Sequence, residues 1–326
     1  MKYGPLGRSG LIVSRICLGG NSWGAKGRRG WGKFDEAEAP AYFKRALDLG
    51  ITFFDTADTY NAGRSEEIMG ATLIKMAKRE EIVISTKVGI RTSPVANDQG
   101  TGRKHMVASV DEQLRRLQTD YIDVYQVHRL DPYTPVEETM YSLDQIVRSG
   151  KVRYIGGSTM PAYKFAQMVM IADWKGYARP IAMQNLYNLI QREEEGEMNR
   201  LCHEQGVGLI PYSPLARGFL AGNRSREGGG ATERSKTDVQ VQPGTYRDCD
   251  WEVVDRLKKI ALGRNVSPAQ AALAWLLAKP YMGAPIIGAT DLEQLTSAAK
   301  ATEIALTAEE CKQLEEPYQF RVSPMN

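Results

Sequence analysis

The sequence predicts a single (β/α)8 barrel, a TIM barrel, spanning residues 1–326. Three features carry that expectation: eight short, β-branched apolar runs, longer helical patterns between them, and polar residues gathered just where several of those runs end. A chain of 326 residues with 42% hydrophobic and 25% charged residues is long enough to bury one elaborated core without disulfides or metals.

The opening segments Tyr3–Leu6 and Leu11–Ser14, split by Gly7 to Gly10, read as an N-terminal β-hairpin capping the barrel floor. The eight expected barrel strands are Ile16–Leu18, Thr52–Phe54, Ile82–Thr86, Ile122–Val127, Tyr154–Gly157, Ile181–Gln184, Gly208–Pro211 and Pro285–Ile287. Several are almost wholly apolar, as strands covered on both faces must be. The helices between them have readable ends. Pro135, Glu137 and Glu138 suit a first helical turn, and Gly150 after Arg148 suits a stop. Leu114 and Leu117 share one face of a helix whose Arg115 and Arg116 are expected to turn outward. Ser267 and Pro268 form a cap and first-turn pair. The stretch Arg217–Asp250, containing Gly228 to Gly230, Arg234 and Lys236, breaks the rhythm and reads as a long mobile loop after strand seven, over the mouth. No second domain is expected.

Composition narrows the function classes. A net charge of +3 is too small to argue for nucleic acid or an acidic membrane surface. Cys17, Cys202, Cys249 and Cys311 show no metal-ligand or C-x-x-C spacing. With no secretory leader and no membrane-length apolar run, a cytoplasmic location is expected. The run from Gly27 to Lys33 fits most of a phosphate-binding G-x-x-x-x-G-K pattern, but Phe34 replaces the hydroxyl residue that would hold magnesium. It reads instead as the first strand-to-helix loop, with Trp23 and Trp31 as an apolar substrate wall. His105, His203 and the run Glu193 to Glu195 form no catalytic or metal constellation; the three glutamates read as a solvated helix start.

In a barrel, residues at the C-terminal ends of strands point into the active site. Strand two ends at Asp55, with Tyr60 in the turn beyond, strand three at Lys87 and strand four at His128. Asp58, in the same turn as Tyr60, reads as a group that satisfies backbone. The four converging groups suit reduction of a carbonyl, because hydride addition leaves an alkoxide that needs a proton. A phenol is a reluctant donor near neutrality, and a neighbouring ammonium such as Lys87 favours the phenolate and so strengthens the acid. A buried Lys87 needs a carboxylate partner, for which Asp55 stands ready, and His128 can orient the substrate oxygen. Gln126, Arg129 and Asp131 near His128 read equally as further polar contacts or as solvated surface groups.

The run Gly50 to Tyr60 (GITFFDTADTY) with Ser65 and Glu66, the triplet Ser85 to Lys87, Leu117 to His128 (LQTDYIDVYQVH) and Gly150 to Ser158 (GKVRYIGGS) resemble the aldo-keto reductase superfamily. So do Gln184 to Asn188, Pro211 to Leu215 with Gly218, and Ile287 to Thr290 with Glu293 and Gln294. The resemblance implies NAD(P)H without a Rossmann domain, and a catalytic tetrad that falls on Asp55, Tyr60, Lys87 and His128. It places Ser158 and Gln184 at the nicotinamide carboxamide and Tyr212 under the ring. Ser213, Pro214, Leu215, Arg217 and Gly218 fall along the pyrophosphate, and Gly20 and Asn21 beside the ribose. Gly288, Thr290 and Gln294 fall around a 2′-phosphate, where helix N–H groups favour an anion. NADPH is the implied cofactor, with NADH the other candidate: Ser297 and Ala298 replace a Glu-Asn pair that contacts adenine, Thr159 replaces an Asn, and no basic residue flanks Asp291. Arg234 in the long loop is placed to supply that missing phosphate contact. The implied activity is reduction of a small-molecule ketone or aldehyde, or the reverse oxidation. The chain is also similar to the branch holding potassium-channel β subunits, which makes a slow, cofactor-sensing regulatory protein the alternative.

Overall fold

The computed structural model describes residues 1–24, 35–226, 238, 241 and 244–321. The Gly27 to Lys33 run with Trp31, Gly228 to Gly230, Arg234, Lys236 and residues 322–326 lie outside the described residues. The chain opens with an antiparallel pair, β1 (Tyr3–Pro5) and β2 (Ile12–Ser14), in which Tyr3 faces Ser14. Eight parallel strands follow in chain order: β3 (Cys17–Gly19), β4 (Phe53–Asp55), β5 (Val83–Val88), β6 (Ile122–Val127), β7 (Val152–Ser158), β8 (Pro180–Gln184), β9 (Gly208–Leu209) and β10 (Ile286–Ile287). Each of β3 to β8 pairs with the next, and β10 returns to pair with β3. The ring closes where Gly283 donates to Leu209 O at 2.7 Å and Ile286 to Pro211 O at 2.9 Å.

Helices α1 (Ala39–Asp48), α2 (Arg64–Met76), α3 (Arg103–Leu117), α4 (Val136–Arg148), α5 (Ala162–Lys175) and α6 (Met198–Gln205) connect the first seven strands. Four more, α7 (Asp248–Gly263), α8 (Pro268–Leu277), α9 (Leu292–Ala301) and α10 (Ala308–Glu315), complete the shell. Ser267 caps α8 in a reciprocal box with Gln270. Gly150 sits at φ +79° just past α4, as its position after Arg148 predicts.

Strand side chains alternate between two cores. Cys17, Phe53, Val83, Val124, Ala182, Ile210, Ala284 and Ile286 fill the barrel interior. Their neighbours Leu18, Phe54, Ile84, Tyr125, Met183 and Ile287 pack outward under the helices. The hairpin supplies Leu6 and Val13 to the interior cluster and so plugs the floor. Leu6 comes so close to Gly208 that a Cβ there would lie 2.8 Å from Leu6 Cδ1. The long loop after β9 is pinned at its two ends by Phe219, stacked on Tyr246 at 3.8 Å with Trp251 edge-on at 4.7 Å.

Several local expectations are corrected. β5 runs two residues beyond Thr86, so Lys87 lies within the strand. Trp23 is 2% exposed and packs edge-on to Phe43 with centroids 4.1 Å apart, which makes it core rather than substrate wall. Arg116 turns inward to buried Glu66, because that carboxylate needs a cation. Glu193 to Glu195 form a 3-10 turn tied to Tyr318, Tyr187 and Arg192, and are not a solvated helix start.

Candidate active site

β4 and β5 lie side by side, with Asp55 opposite Ser85. The pleat turns Ser85 and Lys87 into the barrel and Thr86 out toward the helices. Lys87 is 0% exposed. Its ammonium donates to Asp55 Oδ2 at 2.6 Å, Thr56 O at 2.7 Å and Tyr60 Oη at 3.2 Å, which uses all three hydrogens. Burial pulls the Lys87 pKa down, but Asp55 and Tyr60 outweigh it and hold the amine above the ordinary lysine value. The lysine is therefore a fixed cation beside a phenol oxygen.

The turn before α2 delivers that phenol. Asn61, Ala62 and Gly63 are all left-handed, at φ 52°, 55° and 86°. For the two non-glycines that conformation costs about 1–2 kcal/mol each, so surrounding contacts must hold the turn. One is the Asn61 amide, which donates to Trp23 O. Gly20 is a second point of close approach, since a Cβ there would lie 2.6 Å from Ser65 Oγ, the hydroxyl that donates to Gly20 O. His128 continues the β5–β6 ladder, its N–H donating to Val88 O at 2.7 Å. Its ring lies edge-on to Tyr60, with centroids 5.8 Å apart at 83°. Tyr60 and His128 both reach the surface, whereas Lys87 and Asp55 are closed behind them. The structure thus brings the four residues predicted from sequence to one spot.

Sequence reasoning named Gln126 and Gln184 but missed their bonds to Asp55, and it missed the layer around Glu66. Gln126 and Gln184 both donate to Asp55 Oδ1, at 3.2 and 3.0 Å. On the outer side, Glu66 accepts from Thr86 at 2.6 Å, Gln113 at 2.8 Å and Arg116 at 2.7 Å. Gln113 also donates to Lys87 O at 3.0 Å and accepts from Tyr125 Oη at 2.8 Å, tying the lysine backbone to α3. Asp58 joins this layer and does not satisfy the turn as expected. It is 2% exposed, and neither oxygen accepts a well-formed hydrogen bond among the described residues, although the Thr59 amide faces it. The turn carries its side chain outward beside Glu66 and Arg116. Arg129 donates to His128 O, and Asp131 caps its own loop through Thr101, Tyr133 and Thr134, so neither adds to the site's chemistry. Those bonds hold the Asp131 carboxyl down at about 2 against the opposing effect of burial.

The donor set at the mouth fits a nicotinamide dinucleotide. Gln184 turns its amide hydrogens toward Asp55 and Gln126, leaving its carbonyl oxygen for an outside donor. Ser158 ends the neighbouring strand, its hydroxyl 3.5 Å from Thr159 Oγ1, which in turn donates to Tyr212 Oη at 3.4 Å. Ser213, Ala216, Arg217 and Gly218 have φ of 53°, 46°, 58° and 88°. The Ala216 and Gly218 amides bond within the turn, to Ser213 O at 3.0 Å and Leu215 O at 2.9 Å, and the left-handed residues fold the backbone into a tight turn beside Tyr212. Within it Pro214 is buried and Leu215 half-buried. Asn21 follows Gly20 in the turn after β3. Gly288 stands open, with nothing within 4 Å of a Cβ. Gln294 accepts from the Thr290 amide at 2.9 Å. The start of α9 is not a bare N-terminus, however. The Asp291 carboxylate accepts from the Gln294 amide there at 2.8 Å, which opposes a second anion.

A model of the Aldo/keto reductase family matches residues 15–319. A Schizosaccharomyces pombe protein provisionally named an aryl-alcohol dehydrogenase is 42% identical, covering 97% of this chain and 95% of its own. The versiconal hemiacetal acetate reductase of Aspergillus parasiticus is 40% identical over 98% and 97% of the two chains. An aldo-keto reductase of Alternaria alternata, AMT2, is 37% identical over 97% and 91%.

Proposed function

The chain belongs to the aldo/keto reductase family and is an oxidoreductase, and from that premise we propose that it reduces an aldehyde or ketone with Tyr60 as the proton donor. The observation that carries this reading is the Lys87 ammonium locked between Asp55 at 2.6 Å and the Tyr60 hydroxyl at 3.2 Å. The cation favours the phenolate, so Tyr60 gives up its proton more readily than a free phenol. His128, set edge-on to Tyr60, donates to the substrate oxygen and holds it within reach of the hydroxyl. Ser158 and Gln184 hold the nicotinamide carboxamide, Tyr212 packs against its ring, and the run from Ser213 to Gly218 cradles the pyrophosphate. When bound, the nicotinamide supplies the hydride. Aromatic carbonyls are the first substrates to try, given the aryl-alcohol dehydrogenase name of the Schizosaccharomyces pombe relative.

NADPH is the proposed form. The Asp291 carboxylate at the start of α9 favours NADH as the second reading. A sensing role has no use for a proton donor this strongly prepared, and turnover does.

The test is aldehyde-dependent oxidation of NADPH and NADH by the wild type and by Tyr60→Phe. The phenylalanine variant should lose turnover by about 100-fold or more, as removal of a general acid does, while binding either cofactor within about two-fold of the wild type, since general-acid catalysis and cofactor binding are separate contributions. Wild-type kcat in that variant would remove Tyr60 from the role.

A further inference from the structure

Asp55 is fastened on both sides. Lys87 takes Oδ2, and two carboxamides from other strands take Oδ1. Gln126 Nε2 divides its two hydrogens between Asp55 Oδ1 at 3.2 Å and Ser85 Oγ at 2.6 Å. Gln184 Nε2 lies 3.5 Å from Gln126 Oε1, so the two amides also support each other. Both are enclosed, at 0% and 2% exposure. Their orientation follows from the chemistry of the acceptor: an ionised carboxylate only accepts, so each amide must face it with its nitrogen.

Resting on the reading of Tyr60 as proton donor, we propose that Gln126 is a positioning residue of that reaction, fixing Asp55 and drawing its negative charge away from Lys87. A lone carboxylate 2.6 Å from the ammonium would largely cancel its field, and Tyr60, 3.2 Å away, would face a dipole rather than a cation. Amide hydrogens on the far oxygen share the carboxylate charge and leave the lysine more positive toward the phenol. They also stop Asp55 rotating, so the field at Tyr60 Oη is set before substrate arrives. Packing alone does not call for a glutamine here. Val124, the next inward residue on β6, is apolar and fills the barrel interior. A buried carboxamide is costly unless bonded, and the bonds of Gln126 all lead to the Asp55 cluster.

The experiment uses the full chain with Gln126→Met, which keeps length and removes the donor, and Ser85→Ala, which loosens Gln126 without altering it. Two readouts are taken: Tyr60 ionisation in cofactor-free protein, by NMR of carbon-13-labelled tyrosine with the signal assigned by its absence in Tyr60→Phe, and the pH profiles of kcat and KM for an aromatic aldehyde. Gln126→Met should move both the ionisation and the alkaline limb of kcat to higher pH by about 0.5–1 unit, where one unit is a tenfold change in equilibrium. Its kcat should fall by about three- to ten-fold with KM nearly constant, as for an interaction felt mainly in the transition state. Ser85→Ala should shift both in the same direction by less. An unmoved Tyr60 ionisation in both variants, at wild-type melting temperature, would overturn the proposal, and if Gln126→Met does not fold then Ser85→Ala decides alone. Turnover lost in Tyr60→Phe but an unmoved profile in these variants condemns only the role of Gln126; turnover kept in Tyr60→Phe condemns the donor assignment itself.

Discussion

Asp58 is held in a place where a charge is unwelcome. Burial, and then the neighbouring Glu66 carboxylate, push its pKa well above the ordinary value, and the Thr59 amide, Arg116 and Lys87 offset this only in part. A carboxyl that keeps its proton to higher pH when folded favours folding at low pH, and that advantage is lost as pH rises through the folded pKa. Asp58→Asn should therefore raise the melting temperature at about pH 8 by roughly 2–4 °C, the change that ~1 kcal/mol produces in a large domain. The gain should vanish toward pH ~4, near the unfolded carboxyl value. Scanning calorimetry at both pH values checks this, and an equal gain at both would contradict it. Asp55, Tyr60, Lys87 and His128 were readable from sequence because a barrel gathers strand ends at one mouth. The link from Gln126 to Asp55 and that from Gln113 to Glu66 were not, because the partners lie 71 and 47 residues away. Asp58 was misread for the same reason: nothing local announces that its turn aims it at Glu66.

Strands and caps carried the most legible signals among the elements. All eight barrel strands appear within about two residues of the apolar runs that announce them, as boundary uncertainty allows. β5 outruns its apolar stretch because Thr86 and Lys87 are polar yet buried by partners on β4, α2 and α3. The start of α9 shows the opposite case. Asp291 is an ordinary N-cap, and as a cap it is worth having. It also places a negative charge where the resemblance puts a 2′-phosphate. Asp291→Asn keeps the cap and removes the charge. The dissociation constant for NADPH should fall by about two- to five-fold, the equivalent of the 0.3–1 kcal/mol that a charge contributes at a helix terminus. That for NADH should stay put. Fluorescence titration of both cofactors measures this, and an equal change in the two would place the phosphate elsewhere.

At the scale of the whole molecule, the barrel is a device for bringing distant residues to one point. Leu6 and Val13 seal its floor, apolar layers fill its waist, and the layer at the strand ends is polar: Asp55, Ser85, Lys87, Gln126, Ser158 and Gln184. The Lys87–Asp55 pair is poor evidence of stability, because two buried charges recover by attraction little more than they lose in leaving water. In the proposed reaction its worth lies in the field it sets at Tyr60. Closure, floor and the polar strand ends were foreseeable from the strand count, the opening hairpin and the residues where the runs stop; the bonds within that polar layer were not, because they depend on the register of five adjacent strands. Lys87→Met keeps the bulk of the side chain and deletes the cation. The most direct measurement is single-turnover oxidation of bound NAD(P)H by an aromatic aldehyde, followed across pH in the wild type and this variant. The rate constant should drop by about 100-fold or more, with what remains moved to higher pH, as expected when a general acid loses the charge that strengthens it. A variant that binds cofactor normally and turns over at the wild-type rate, with the wild-type pH profile, would contradict the role given to Lys87 and Tyr60.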